Sequence, residues 1–406
     1  MKDKKISVIG LGYIGLPTAA LLASNGYSVV GMDVNEHAVT TINQGENHIV
    51  EPDLDAFVRS SVAAGKLQAF SQPQPGDVYI ICVPTPFYED SAIPQPNIDY
   101  VLAATRSIAP FVKAGDMVIL ESTSPVGTTE QMQAVLRDAG VQVNDVHMAY
   151  CPERVLPGKI MTELVENDRI VGGITPAATQ VVAEFYRTFV HGVVFETDAK
   201  TAEMCKLTEN SFRDVNIAFA NELSLICDKE GINVWDLIQL ANHHPRVNIL
   251  QPGTGVGGHC IAVDPWFIVV RDEGNSHLIR TARAVNNNKT DWVIEKIKQI
   301  AADVKPRSGT KVKIACLGLA FKPDIDDLRE SPALEVAETL LAQGYDVVAV
   351  EPNVESHEKL SLLDIISATK QADVIAILVK HREFMQPTMK QQLKNLGALD
   401  FCGALT

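Results

Sequence analysis

Residues Gly10-Leu11-Gly12-Tyr13-Ile14-Gly15 follow the apolar run Ile6–Ile9 and lead into a helical pattern through Leu22. Few turns restrict a fold so strongly. Glycines at the first, third and sixth positions of a strand-to-helix turn let the backbone reverse tightly, leave an opening beside it and seat the helix close on the sheet. A second β-rich run, Ser28–Met32, ends at Asp33, where a carboxylate can accept hydrogen bonds from ribose hydroxyls. Further runs, Val78–Val83 and Met117–Leu120, alternate with helical stretches, which is the pattern of an α/β, doubly wound, parallel sheet. The turn therefore predicts a dinucleotide site formed by Gly10, Gly12, Tyr13, Ile14, Gly15 and Asp33. No arginine follows in Val34-Asn35-Glu36-His37, so a 2′-phosphate would meet uncompensated negative charge. NAD is expected rather than NADP. Thr85 and Thr123 follow strands of the same sheet, where both cofactor contact and simple turn capping fit their hydroxyls.

The strand pattern restarts late in the chain. Lys313–Ala320 echoes the first strand and turn, Asp346–Glu351 the second strand, and Asp373–Val379 adds another, without the later glycines of the first turn. Between the two halves, Thr201 to Lys229 contains neither proline nor glycine and is helical in period, which predicts a spine helix. A polar, breaker-containing stretch, Val304–Gly309, reads as a linker. The expected organisation is two Rossmann-like domains, 1–198 and 310–406, joined by a helical region, 199–303.

A net charge of −15 argues against a nucleic-acid or anionic-membrane surface, and no apolar run approaches the roughly 20 residues that cross a bilayer. The N-terminus passes straight into a strand without a cleavable apolar segment. Seven scattered cysteines without metal-ligand spacing fit a reducing cytoplasm better than a disulfide framework or a zinc site.

One cysteine stands apart. Pro252-Gly253-Thr254-Gly255-Val256-Gly257-Gly258-His259-Cys260 holds four glycines in six positions, and the apolar Ile261–Val270 after it predicts a buried helix. A thiol near a helix N-terminus is favoured as the thiolate, and Asp264 follows one turn on, so Cys260 reads as a nucleophile. Lys206, Asn210 and Arg213 lie at i, i+4 and i+7 of the spine helix, on one face, among largely apolar neighbours. Ammonium, amide and guanidinium together suit recognition of hydroxyl and carbonyl groups. Cys151-Pro152-Glu153-Arg154-Val155, His243-His244-Pro245-Arg246, and Lys322 with Arg329 place further charges in proline-rich or acidic turns, which suits an anionic ligand.

The glycine turn, Cys151-Pro152-Glu153-Arg154, Lys206-Leu207-Thr208-Glu209-Asn210, Gly255–Cys260 and Phe321-Lys322-Pro323 together resemble the UDP-glucose/GDP-mannose dehydrogenase family, in the family's order and over nearly the whole chain. His243–Gly253 and Glu203-Met204-Cys205-Lys206 resemble its N-acetylhexosamine branch. The resemblance implies NAD-dependent, four-electron oxidation of a UDP-sugar C6 alcohol to the carboxylate. UDP-N-acetylmannosamine is the expected substrate, with UDP-N-acetylglucosamine and UDP-glucose as alternatives. It further implies that Cys260 carries a thiohemiacetal and then a thioester, that Lys206 and Asn210 stabilise the oxyanion, and that Glu153 and Asp264 manage the hydrolytic water. Arg154, Val155, Lys206, Asn210, Arg213, His244, Arg246, Gly257, Phe321 and Lys322 would hold the nucleotide sugar, and Arg329 would reach the cofactor. A homodimer through the central helices is implied as well, leaving open whether the Arg246 segment serves its own site or the partner's. The chain departs from the pattern near its end, where Asp400-Phe401-Cys402-Gly403-Ala404-Leu405 lacks the basic residue that usually follows the aspartate. A single-step dehydrogenase of the β-hydroxyacid type also joins a Rossmann domain to helices, and it would not need Cys260.

Overall fold

The computed structural model describes residues 2–88, 93–258, 260–307 and 311–406. His259 of the glycine-rich run and Ser308 and Gly309 of the expected linker lie outside them. The chain divides into two compact units, Met1–Thr208 with Trp266–Arg271, and Glu209–Pro265 with Asp272–Thr406.

The first unit carries β1 (Lys5–Ile9), β2 (Ser28–Met32), β3 (Leu67–Phe70), β4 (Val78–Ile81), the short pair β5 (Phe87–Tyr88) and β6 (Gln95–Pro96), then β7 (Met117–Leu120), β8 (His147–Tyr150), β9 (Arg169–Gly173) and β10 (Val194–Asp198). Eight of these form one sheet in the order β10-β9-β8-β7-β4-β1-β2-β3. All neighbours pair in parallel except β8 with β9. Side chains alternate between two cores. Val8, Ile80 and Ile119 enter one cluster, while Ile9, Ile81 and Leu120 enter another. A strand buried on both faces must be apolar throughout, which is why these segments are continuous apolar runs rather than alternating ones. Each fully buried isoleucine contributes about 2 kcal/mol. The strand order reverses between β1 and β4, and in such sheets ligands bind beyond the carboxyl ends of the strands at that reversal.

The second unit repeats the plan with β11 (Lys313–Leu317), β12 (Asp346–Val350), β13 (Ser361–Leu362), β14 (Val374–Ile377) and β15 (Leu399–Asp400). They form an all-parallel sheet in the order β13-β12-β11-β14-β15. Here too alternate residues feed two cores, Ile314 and Cys316 on one side, Ala315 and Leu317 on the other.

The expected spine is a single helix, Ala199–Glu230, of 32 residues. At 1.5 Å per residue it runs roughly 48 Å. A second long helix, His277–Asp303, buries Ala282, Arg283, Asn286, Lys289, Thr290, Val293, Ile294, Ile297 and Ala301 on a stripe of helical period. The first half of that stripe is polar, so its groups must find partners indoors.

Near the spine's start, Glu203 is fully buried. Its carboxylate accepts from the Gly127 and Thr129 backbone N–H groups at 2.6 and 2.8 Å and from the Thr129 hydroxyl at 2.7 Å. It thereby caps the helix Thr128–Asp138, which has no side-chain cap of its own.

Candidate active site

In the first unit, the turn after β1 has the form the glycines predict. Gly10 takes φ of +90°, and a Cβ on it would lie 2.8 Å from the Cys82 carbonyl oxygen. A Cβ on Gly15 would fall 1.8 Å from the Gly10 oxygen, so the helix Gly15–Ser24 can sit this close only without a side chain there. A Cβ on Gly12 would meet nothing within 4 Å, which leaves the opening that a pyrophosphate needs at a helix N-terminus. Asp33, at the end of β2, accepts the Leu11 N–H at 2.8 Å on one oxygen and the Asn35 N–H at 2.8 Å on the other. Each carboxylate oxygen retains a lone pair for a ribose hydroxyl. These residues fit NAD. His48 lies beside Asp33, with its pKa lowered by burial and its Nδ1 buried without a hydrogen-bond partner among the described residues. Sequence reasoning missed it, because a lone histidine in a polar loop carries no pattern. Thr85 and Thr123 do come together, the Thr85 hydroxyl donating to the Thr123 carbonyl at 2.7 Å. That bond ties two turns and leaves the Thr85 oxygen able to accept.

Two further acids of this unit are buried. Burial raises the Glu121 pKa, and its oxygens accept from Tyr186 Oη at 2.6 Å and from Cys82 Sγ at 3.4 Å. Glu153, beneath the loop that follows β8, pairs with the buried Arg169, and its other oxygen accepts the Arg154 N–H at 2.7 Å. Arg154 in turn donates to the Asp168 carbonyl, and Val155 is half-buried beside it. On the spine helix Lys206 is buried, Asn210 half-buried and Arg213 exposed.

The second unit holds the cysteine. Cys260 is exposed and stands on a turn ahead of the helix Asp264–Arg271. The helix starts three residues later than its apolar content predicts. Asp264-Pro265 is the start signal, since proline is tolerated only in a first turn. The turn is closed by the Asp264 N–H donating to the Cys260 carbonyl at 2.8 Å. Asp264 is itself buried and accepts from Asn210 Nδ2 at 2.5 Å. Thiol, carboxylate and amide therefore form one constellation. The glycines before Cys260 lie against later residues of the same unit. A Cβ on Gly257 would stand 2.1 Å from the Glu330 carbonyl oxygen and 2.7 Å from Pro332, and one on Gly258 would be 2.7 Å from the Phe321 ring. Phe321 is thus brought under the cysteine loop.

Among the basic residues, Lys322, His244 and Arg246 are exposed, with the Arg246 N–H donating to His244 Nδ1 at 3.3 Å. Arg329 is exposed and grips Asp327 with two bonds, Nε to Oδ1 at 2.8 Å and a terminal nitrogen to Oδ2 at 2.7 Å. Asp400 gathers four backbone N–H groups, from Cys402, Gly403, Ala404 and Leu405, at 2.8 to 3.1 Å. The aspartate of the departing C-terminal motif therefore holds its own loop.

The turn after β11 differs from its counterpart in the first unit. Gly318 again has φ of +90°. Here, however, Glu351 at the end of β12 reaches the Leu319 and Ala320 N–H groups at 2.7 and 2.9 Å. His381 Nδ1 accepts the Asp324 N–H at 3.0 Å, so Nε2 carries the ring proton and donates to Glu351 at 3.1 Å. Burial alone would raise the Glu351 pKa, but these hydrogen bonds hold it down at about 2. Glu351 thus engages two amides of this turn, where Asp33 engages one of its counterpart.

Residues 4–190, 200–288 and 315–405 match, in turn, the NAD binding, central and UDP binding domains described for the UDP-glucose/GDP-mannose dehydrogenase family. The chain belongs to the UDP-glucose/GDP-mannose dehydrogenase family. Within it, the glycine turn falls in the NAD binding match, Cys260 in the central match, and Phe321, Lys322 and Arg329 in the UDP binding match. The chain is similar to a UDP-N-acetyl-D-mannosamine dehydrogenase of Yersinia pestis, with 56% identity over 95% of either chain. It is also similar to an NDP-N-acetyl-D-galactosaminuronic acid dehydrogenase of Ralstonia solanacearum, with 54% identity over 94% of this chain and 92% of the relative. A solved UDP-D-ManNAc dehydrogenase from Pyrococcus horikoshii superposes with a TM-score of 0.88 at 39% identity, covering 99% of this chain and 96% of the other.

Proposed function

We propose that the chain oxidises the C6 alcohol of UDP-N-acetyl-D-mannosamine to the carboxylate with NAD, through covalent intermediates on Cys260. The observation that carries the reading is the exposed Cys260 thiol closed in one turn with a buried Asp264 that Asn210 holds in place. The N-acetylmannosamine assignment rests on the activity named for the 56%-identical relative.

NAD bound at the Gly10–Gly15 turn and Asp33 supplies the hydride acceptor for both oxidations. The first removes a hydroxyl proton and a hydride from C6 and leaves an aldehyde. An aldehyde is a poor hydride donor, whereas its tetrahedral thiol adduct is a good one, so the Cys260 thiolate adds to the carbonyl carbon. Lys206 and Asn210 stabilise the charge on the substrate oxygen. Loss of the second hydride from that oxyanion gives the thioester. Water then attacks its carbonyl, Asp264 takes the first of the water's two protons, the C–S bond breaks to restore the thiolate, and the resulting acid gives up the second proton as the sugar carboxylate leaves. Glu153, engaged by Arg169 and the Arg154 N–H, keeps the loop of Arg154 and Val155 in order for the substrate. The balance is one alcohol and one water converted to a carboxylate, two NADH and three protons. Arg154, Arg213, His244, Arg246, Gly257, Phe321 and Lys322 are the residues we assign to the nucleotide sugar, and Arg329 to the cofactor.

Phe212, Phe219 and Ile226 are exposed on the spine helix at seven-residue intervals, 70%, 52% and 52% accessible. Such a stripe supports a homodimer through that helix. Seven scattered cysteines without metal-ligand spacing support a cytoplasmic enzyme.

The test is a panel of UDP-sugars with NADH counted and the product weighed. UDP-N-acetylmannosamine should yield two NADH and the uronate, and Cys260→Ala should stop before the carboxylate. Turnover of the N-acetylgalactosamine epimer alone would favour the activity named for the 54%-identical relative. One NADH per sugar, with Cys260→Ala fully active, would favour the single-step alternative.

A further inference from the structure

The entrance to the cysteine loop is held from an unexpected direction. Asn221, fully buried on the spine helix, accepts the Gly253 N–H on Oδ1 at 2.9 Å. A backbone N–H can only donate, so the amide nitrogen of Asn221 must face the other way, and there it donates to Asn286 Oδ1 at 2.9 Å. Asn286 Nδ2 then donates to Asp214 Oδ1 at 2.7 Å and to the Asp214 carbonyl at 3.1 Å. Asp214 ends the chain, paired at 2.6 Å with the buried Arg283. Every donor from Gly253 onward points toward one buried carboxylate. Aligned amides polarise one another, so the last link, to the loop, is stronger and more directional than an isolated pair.

The next residue is pinned as well. Thr254 is buried, its hydroxyl donates to the Leu378 carbonyl at 2.7 Å just past β14, and its carbonyl accepts from Thr290 at 3.3 Å. From Gly255 to Gly258 the three glycines lie close against their surroundings, since a Cβ on Gly255 would stand 2.4 Å from the Thr290 hydroxyl, one on Gly257 2.1 Å from the Glu330 oxygen and one on Gly258 2.7 Å from the Phe321 ring. A stretch this rich in glycine would otherwise have the greatest conformational freedom to lose. The directional bonds of the described residues ahead of Cys260 are thus concentrated at Gly253 and Thr254.

We infer that Asn221 and Thr254 are positioning residues for Cys260: together they fix the entry of its loop and so the place of the sulfur. The inference rests on the covalent reading given above. It follows that loosening either anchor should harm the thiol-dependent second oxidation more than the first, which does not use the thiol. Misplacing a reacting group by about 1 Å costs on the order of 100-fold.

Asn221→Leu keeps the branched shape and removes both hydrogen bonds, and Thr254→Val removes only the hydroxyl. Single-turnover rates of each oxidation, the mass of any UDP-sugar aldehyde released, and the rate of Cys260 alkylation by iodoacetamide are measured for both, with Cys260→Ala as the blank. The second oxidation should slow by at least about tenfold while the first stays within about threefold, with aldehyde released and alkylation altered. Equal slowing of both steps, or neither slowing, would overturn the inference. Should Asn221→Leu fail to fold, Thr254→Val decides by the same criteria. If Cys260→Ala completes the oxidation, the covalent reading itself is wrong. If Cys260→Ala stops at the aldehyde and both anchor variants behave as wild type, only the positioning role is wrong.

Discussion

Replacing Lys289 with methionine should stabilise the protein, and the gain should vanish in alkali. Lys289 is 2% exposed in the helix His277–Asp303, its Nζ donating to Ser224 Oγ at 2.7 Å and lying 4.2 Å from the Trp292 ring centroid. Burial depresses its pKa from 10.5 to about 8, opposed only in part by the Asp228 charge. Below about pH 8 both folded and unfolded amines are charged, and the folded state carries the full desolvation cost. Between pH 8 and 10.5 the unfolded chain holds a proton that the folded chain has released, so stability rises with pH across that window. The gap, at about 1.4 kcal/mol per pH unit, amounts to about 3 kcal/mol. Lys289→Met removes that cost, loses a hydrogen bond worth about 1 kcal/mol and keeps a sulfur contact with Trp292. The variant should therefore be about 2 kcal/mol more stable at pH 7 and about 1 kcal/mol less stable near pH 10.5. Urea unfolding of both proteins at matched pH values measures this, because groups common to the two cancel in the difference. A variant that is less stable at pH 7, or whose advantage is the same at pH 7 and pH 10, refutes the reasoning.

Glu203→Ala orphans three donors that converge on one carboxylate, two of them backbone N–H groups. It should cost roughly 3 kcal/mol and lower the melting midpoint by about 8 °C, and a fall below about 2 °C would show that water replaces the carboxylate. Gly15→Ala would place a methyl group 1.8 Å from the Gly10 oxygen and push the helix off its turn. NAD binding by calorimetry should weaken by at least about tenfold with the chain still folded, and unchanged affinity would count against the turn as the cofactor site.

The parts of this fold that were legible from sequence are those written locally. The strands around Ile9 and Leu317 are continuous apolar runs, the glycine turn states its own geometry, and the spine helix lacks any breaker over Thr201–Lys229. What escaped is polar and long-range. Asp214, Asn221, Arg283 and Asn286 are spelled like a solvated helix face, and nothing local reveals that partners some 65 to 72 positions apart will meet indoors. Glu203 reads as an ordinary surface acid because the helix it caps lies 74 residues earlier. The helix after Cys260 was predicted to begin at Ile261 because apolar content outweighed the Asp264-Pro265 signal, which was there to be read. Phe212 and Phe219 are apolar neighbours of the polar stripe in sequence, and nothing local reveals that both are exposed.

Glu351 has a consequence for the order of events. It engages two amides of a turn that also lacks the later glycines of Gly10–Gly15, so the proposed reading has one berth for a dinucleotide, although two oxidations must be served. Spent coenzyme must therefore depart and a fresh molecule arrive while the half-oxidised sugar stays behind. A bond to sulfur does more than ready the carbon for its second loss of hydride: it moors the intermediate during the changeover, when an untethered aldehyde could drift away.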